Sequence, residues 1–240
     1  MRLIAIDGRS GSGKTAYTAR HFPQANVIHM DDLYAGWDGL IEGTVTLAER
    51  VLRPLREGER AAYRRFDWYT GAFADEVVVA PADLIVVEGV GSSAPPATGF
   101  FDERIWLSAD NAVRRARALA RDGDTFAPHW DRWAAQEDTL FPADPPPWTT
   151  RVVDTSPDPR IVADLSARLH EADPMGLSGA PRDEYDSEAA ILADQLPGLD
   201  EAAAIASVRR CFDLMFWPGA VDNPQAVAIA ADLGRLVDRQ

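Results

Sequence analysis

The stretch from Arg2 to Thr15 constrains this chain more than any other. "RLIAID" (Arg2–Asp7) is a short apolar run, and it feeds directly into "GRSGSGKT" (Gly8–Thr15). The octet satisfies G-x-x-x-x-G-K-[ST] with a strand before it and a helix after it, the context that a phosphate-binding loop requires. Its glycines let main-chain amides turn inward around an anion, and the following helix adds a partial positive charge at its N-terminus. Gly8, Ser10, Gly11, Ser12, Gly13, Lys14, Thr15 and Ala16 are therefore the expected nucleotide-binding residues. Lys14 is expected to neutralise β- and γ-phosphate oxygens, and Thr15 to ligate Mg²⁺.

Composition sharpens the reading at one point. Of 24 basic residues, Lys14 alone is lysine and the rest are arginine. The lysine falls where a compact ammonium must fit between phosphates and a broad guanidinium fits poorly.

Further along, apolar strands alternate with helical patterns. "NVIHMD" reads as a second strand and Thr46–Gly58 as a helix that Pro54 kinks or ends early. "AAYRRFDWY" and "DEVVVAP" flank a turn at Thr70–Gly71. "DLIVVEGVG" (Asp83–Gly91) is the most apolar strand and the expected sheet centre. "ERIWLS" and "TRVVDT" are strands. Asp110–Gly123, Pro128–Phe141 and Pro159–Glu171 are helices, and Pro142–Trp148 is a loop. This alternation predicts an α/β fold, three layers with a mostly parallel sheet, over residues 1–171. After Ala172 no strand pattern appears. Helical stretches near Ser187–Leu196, Asp200–Trp217 and Pro224–Arg239 predict a small all-α appendage over residues 172–240.

The residues with chemistry cluster after the second strand, in "HMDDLYAGWDGL" (His29–Leu40). In open α/β sheets ligands bind at the carboxyl ends of strands. Phosphoryl transfer to a hydroxyl needs a carboxylate to take its proton, and Asp31 or Asp32 fits that need. Tyr34 and Trp37 offer flat faces to a ring, and Asp38 could accept from hydroxyls. Glu88 ends the third apolar strand, where a carboxylate could hold Mg²⁺ through water. Arg114, Arg117 and Arg121 share one helix face, and Arg117 and Arg121 lead into a glycine-containing loop, as lid arginines do. His29, His129 and Trp130 have no ligand spacing and read as packing or surface. "VVDTSPD" (Val152–Asp158) is a candidate adenine loop.

Bulk properties limit the partners. The net charge is −14, which disfavours nucleic-acid backbone and anionic membranes. Residues 172–240 carry half of that charge in less than half the length. The single cysteine, Cys211, allows no internal disulfide. With no signal-peptide pattern and no long apolar run, the expected setting is cytoplasmic. No oligomeric state follows from the sequence.

These motifs together resemble the uridine kinase and phosphoribulokinase branch of the P-loop kinases, over about residues 1–171. The carriers are "GRSGSGKT", "MDDLY", "FDW" before "DLIVVEG", and the arginine-rich helix. The chain looks most like the uridine-kinase-like proteins of actinobacteria. The resemblance implies an ATP- and Mg²⁺-dependent kinase acting on a small-molecule hydroxyl, nucleoside-like. It implies Asp31 as the base, Tyr34 at the acceptor ring, Trp37 and Asp38 at ribose-type hydroxyls, and Phe66-Asp67-Trp68 beside the base. Tyr63 and Asp67 join Asp32 as acceptor-binding candidates, Glu88 is the loop glutamate, and Arg117 and Arg121 are lid arginines. Two departures fall on base recognition and phosphate clamping. "YTGAF" follows without the usual histidine and arginine, and the lid reads "RDGDTFAPHWDRW" without arginine-glycine-arginine. The segment "DPMGLSGAPRDEYD" looks similar to part of a small bacterial helical domain of unknown function.

A second class of function stands beside the kinase: a nucleotide-dependent switch or ATPase that contacts a protein through its helical tail. The acidic tail would be its contact surface, and it carries the stripe Ile205, Val208, Phe212 and Met215 at helical spacing. Such a stripe is more often core.

Overall fold

The computed structural model describes residues 1–177, 181, 183–196 and 199–220, and the helix expected over Pro224–Arg239 lies outside them. In chain order the elements begin with β1 (Arg2–Asp7), α1 (Lys14–His21), β2 (Asn26–His29), α2 (Leu40–Thr46), α3 (Arg53–Arg56), β3 (Ala61–Asp67) and β4 (Ala72–Val79). They continue with β5 (Leu84–Glu88), β6 (Glu103–Ser108), α4 (Asn111–Asp122), α5 (Trp130–Leu140), β7 (Arg151–Asp154), α6 (Pro159–Ala172), α7 (Asp186–Gln195) and α8 (Glu201–Met215).

Five of the strands form one sheet in the order β2-β5-β1-β6-β7, with every neighbouring pair parallel. The architecture is α/β, a parallel sheet flanked by helices. β1 takes the centre, and β5, the expected centre, lies beside it. Both strands are buried along their apolar length, so apolarity alone does not rank them. Ile4, Ile6, Val86, Ile105 and Leu107 make a core with Tyr17 and Phe22 against it. Parallel strands buried on both faces need such near-continuous branched runs.

Two local expectations change. The helix expected from Thr46 begins earlier, at Leu40, and runs through a wide π-type turn at Leu47–Leu52 before α3. Pro54 falls in the first turn of α3, where its missing N–H costs little, so it does not break the path. β3 and β4 pair with each other as an antiparallel hairpin, apart from the main sheet, with a register shift between Arg64 and Phe66.

The described residues pack as two compact units: residues 1–108 with 121–155, and residues 109–120 with the described residues from 156 to 220. This partition differs from a boundary at 171/172. The reason is burial: Ala116 of α4 and Leu165 and Leu169 of α6 share one core with Tyr185, Ile191, Leu192, Val208 and Phe212. Asp158 caps α6 by accepting from the Arg160 amide, and Asp200 caps α8 by accepting from the Ala203 amide. In the stripe read from sequence, Val208 and Phe212 are fully buried, and Ile205 and Met215 pack against the same core. Among the described residues no helix is long and apolar enough to cross a membrane.

Candidate functional site

The glycine loop bends between β1 and α1 because its backbone enters regions closed to other residues. Gly8 has φ +148°, and a Cβ there would meet the Leu107 carbonyl oxygen at 2.3 Å. Asp7, fully buried just before it, ties the loop down. Its carboxylate accepts from the Gly8 and Gly91 amides at 2.7 and 2.8 Å, and from the Ser93 amide and hydroxyl at 2.9 and 2.7 Å. Burial raises the Asp7 carboxyl above its ordinary value, and the Ser93 bonds oppose that rise. One carboxylate thus locks the phosphate loop to the segment after β5. From the other side, the Thr155 hydroxyl donates to the Ser12 carbonyl at 3.0 Å, which brings the start of the expected adenine loop against the glycine loop.

Lys14 opens α1 and curls back over the loop. Its Nζ donates to the Gly8 carbonyl at 2.8 Å and the Arg9 carbonyl at 3.1 Å. Burial lowers its pKa, while Glu88, Glu137, Asp7 and Asp31 pull it back up. The ammonium therefore feels the charges of these four acids while it bonds back to the glycine loop.

Glu88 is the hub of the edge. It is 4% exposed, and Thr15 Oγ1 donates to its two carboxylate oxygens at 3.1 and 3.3 Å. His29 Nδ1 lies 2.6 Å from Glu88 Oε1. Burial would raise the Glu88 carboxyl, but the His29 hydrogen bond and the Lys14 charge outweigh it and hold the group below its usual range. In turn the Glu88 hydrogen bond raises His29. His29 is thus a surface residue, 47% exposed, as the sequence reading allowed, but one tied to Glu88. The parallel register sets His29 opposite Glu88. Adjacency of β2 and β5 is a topological fact that linear spacing does not contain.

Thr15 and Glu88 are hard oxygen donors on neighbouring elements, and such a pair fits Mg²⁺ carried by phosphates and water. Among the described residues no group of three or more His, Cys, Asp or Glu could hold a metal unaided.

Asp31 follows β2 in a short turn. Solvent reaches the residue. Burial nevertheless raises its carboxyl, and Glu88 adds to the rise against Lys14 and Arg121. The Asp31 main-chain carbonyl accepts from the Trp68 indole at 2.9 Å, so the β3–β4 hairpin closes over the stretch. Asp32, half-buried, is hydrogen-bonded to the Tyr63 hydroxyl, and burial raises its carboxyl as well. Burial and then the Asp32 charge push Tyr63 up to about 12.

The remaining aromatics form one wall. Trp37 stacks on His129 at 4.6 Å and on Phe126 at 5.1 Å, and meets Trp68 at 4.7 Å between ring centroids. Trp68 remains 37% exposed and packs edge-on against Phe66. His129 therefore belongs to this wall.

Four expected site residues have other partners. Tyr34 is 1% exposed, donates its hydroxyl to the Val90 carbonyl at 2.6 Å and packs against Trp133, so its ring offers no open face. Asp38 pairs with Arg132. Asp67 caps the hairpin turn, accepting from the Tyr69 and Thr70 amides, and the Tyr69 bond leads in holding its carboxyl below the usual range. Arg117 belongs to the second unit and grips Asp194 with two hydrogen bonds of 2.6 and 3.0 Å. Burial closes off Tyr34, and the other three are held by neighbouring groups in this structure. Arg121 belongs to the same unit as the loop. It pairs with Asp122 and feels the charges of Asp31 and Glu88.

Three contributors were missed from sequence. Asp7 looked like the end of a strand. Arg9 occupies a variable position of the motif, yet its guanidinium reaches Asp138 at 2.6 Å and Glu137 at 3.7 Å. Glu137 itself accepts from the Ser10 amide at 2.7 Å. Charges on a helix face carry no label, so α5 gave no signal of this contact.

No protein-family model and no curated protein sequence matches the chain. Solved structures similar to it include a possible uridine kinase from Bacillus stearothermophilus, 20% identical, with a TM-score of 0.44 over 64% of this chain and 88% of that one. Another is TT1252 from Thermus thermophilus, 17% identical, with a TM-score of 0.38 over 65% of this chain and 88% of that one. A likeness at this level decides nothing about chemistry.

Proposed function

We propose that the chain is a kinase of the P-loop type that transfers the terminal phosphoryl group of ATP to a hydroxyl of a small molecule. The observation that carries this reading is that the carboxyl of Asp31, just after β2, feels the charges of Glu88 at the end of β5, of Lys14 in the glycine loop and of Arg121. A nucleotide switch needs the loop and the metal-side pair. It has no use for a second carboxylate, Asp31, held by Trp68 of the aromatic wall.

In this reading Asp31 accepts the proton of the attacking hydroxyl. Its raised pKa suits that role, because a base works best when its affinity for the proton approaches the working pH. Lys14 and Arg121 meet the charge on the transferring group, and the loop amides hold the phosphates in place. Thr15 and Glu88 would hold Mg²⁺, whose contribution is to neutralise phosphate charge. His29 keeps the Glu88 carboxylate oriented, and Trp68 holds the main chain at Asp31. The open indole of Trp68 next to Asp31 supports a flat, nucleoside-like acceptor. Acceptor-dependent release of ADP tests the proposal. Release of ADP at one slow rate whatever alcohol is added would replace it with the switch.

A further inference from the structure

The catalytic edge has two halves, the phosphate loop and the acceptor stretch, and α5 touches both with consecutive residues. Glu137 is 2% exposed and accepts from the Ser10 amide of the loop at 2.7 Å. Gln136, one residue earlier, donates to the Trp37 carbonyl at 2.7 Å. Consecutive helical residues point about 100° apart, so one turn can address two neighbours. Nearby, Arg132 pairs with Asp38 and Trp133 packs edge-on against Tyr34.

The loop-side contact is not explained by the helix itself. Glu137 and Asp138 lie in the last turn of α5, where the helix dipole disfavours negative charge. What offsets that cost lies on the loop: the Ser10 amide and the Arg9 guanidinium, which is 2.6 Å from Asp138. A charge-assisted bond to a buried carboxylate is strong and costly to leave unmade. The loop is therefore held in shape by α5. Phosphate arriving on it meets a carboxylate already seated at its rim, and any adjustment of Glu137 moves the helix that carries Gln136.

We propose that α5 couples the two halves of the site, with Glu137 as the positioning residue for the phosphate loop and Gln136 as the positioning residue for the acceptor stretch. The proposal rests on the nucleotide-binding part of the function proposed above.

Amide hydrogen exchange with ADP–Mg²⁺ as the probe tests it, since no acceptor is needed. In the wild type, ADP–Mg²⁺ slows exchange in residues 8–16 and also in residues 33–40. In Gln136→Leu, with ADP held at saturation, protection of 8–16 persists and protection of 33–40 is lost. Glu137→Ala weakens ADP binding about tenfold or more, and Glu137→Gln, which keeps an acceptor oxygen for the Ser10 amide, restores most of it. A purely structural role would lower the melting temperature of the Glu137 variants and leave their ADP affinity equal to wild type, and that result overturns the coupling. So does wild-type protection confined to residues 8–16, which leaves nucleotide binding standing. A wild type that binds no ADP overturns the loop reading and the coupling together.

Discussion

The indole nitrogen of Trp68 donates to the main-chain carbonyl of Asp31 at 2.9 Å, so the residue that forms the wall of the acceptor side also fixes the backbone of the proposed base. Two distant parts of the chain, a hairpin tip and a turn after β2, are joined by one hydrogen bond. Geometry at the proposed base then depends on a side chain that has no part in the proposed proton transfer.

Asp31→Asn is expected to lower phosphoryl transfer by about 10²- to 10⁴-fold while ADP binding is retained. The wild-type rate should rise with pH through a pKa above that of an ordinary aspartate, because only the ionised carboxylate accepts a proton and burial raises its pKa. The stability sign is opposite. A group whose pKa is raised by folding favours the fold when protonated and loses that contribution as pH rises through the folded pKa. At neutral pH the Asn variant should therefore melt higher than wild type. Calorimetry and a pH–rate profile on both proteins check the two signs.

Arg117→Ala and Arg121→Ala should separate cleanly. Arg117 is committed to Asp194, so its loss should cost about 2 kcal/mol of stability, the order of a charge-assisted bond, with little change in turnover once folded. Arg121→Ala should instead lower turnover: its guanidinium pairs with Asp122, and its charge also acts on Asp31 and Glu88. Denaturant titration and steady-state rates on both variants decide.

Tyr34→Phe removes one buried bond to Val90 and should cost about 1 kcal/mol without raising the acceptor KM. Trp68→Ala should raise that KM, since it removes both the open indole and the tie to Asp31. If Tyr34→Phe alone raises the acceptor KM, the buried tyrosine contacts acceptor after all.

Gly89→Ala should damage the site from within the core. Gly89 has φ +135°, and a Cβ would meet Met30 Cβ at 2.4 Å. Met30 precedes Asp31 and Gly89 follows Glu88, so the clash falls between the proposed base and the carboxylate proposed for Mg²⁺. Loss of turnover greater than loss of stability is expected, read by kinetics and thermal melting on the same sample.

The α/β architecture and the phosphate loop were legible because each is local: a strand, a glycine run and a helix follow one another in the chain. The places of Asp31 and Glu88 at strand ends, where such sheets carry ligands, were legible for the same reason. Tyr34 was not read correctly, because an aromatic after an aspartate pair looks the same whether its ring faces a ligand or the core. Only the position of the Val90 carbonyl distinguishes the two. Arg117 failed for a similar reason: its partner Asp194 lies 77 residues away in sequence. The contacts of His29 with Glu88 and of Glu137 with Ser10 depend on strand order and helix docking, which no linear spacing encodes.

The most direct test of the central claim is ADP formation from ATP–Mg²⁺ across a panel of nucleosides, sugars and other small alcohols, against a control without acceptor. The account predicts that ADP forms at a rate set by the presence of one acceptor class, and that Asp31→Asn abolishes that dependence. ADP release at the same slow rate with every compound and with none, in wild type and Asp31→Asn alike, would contradict it.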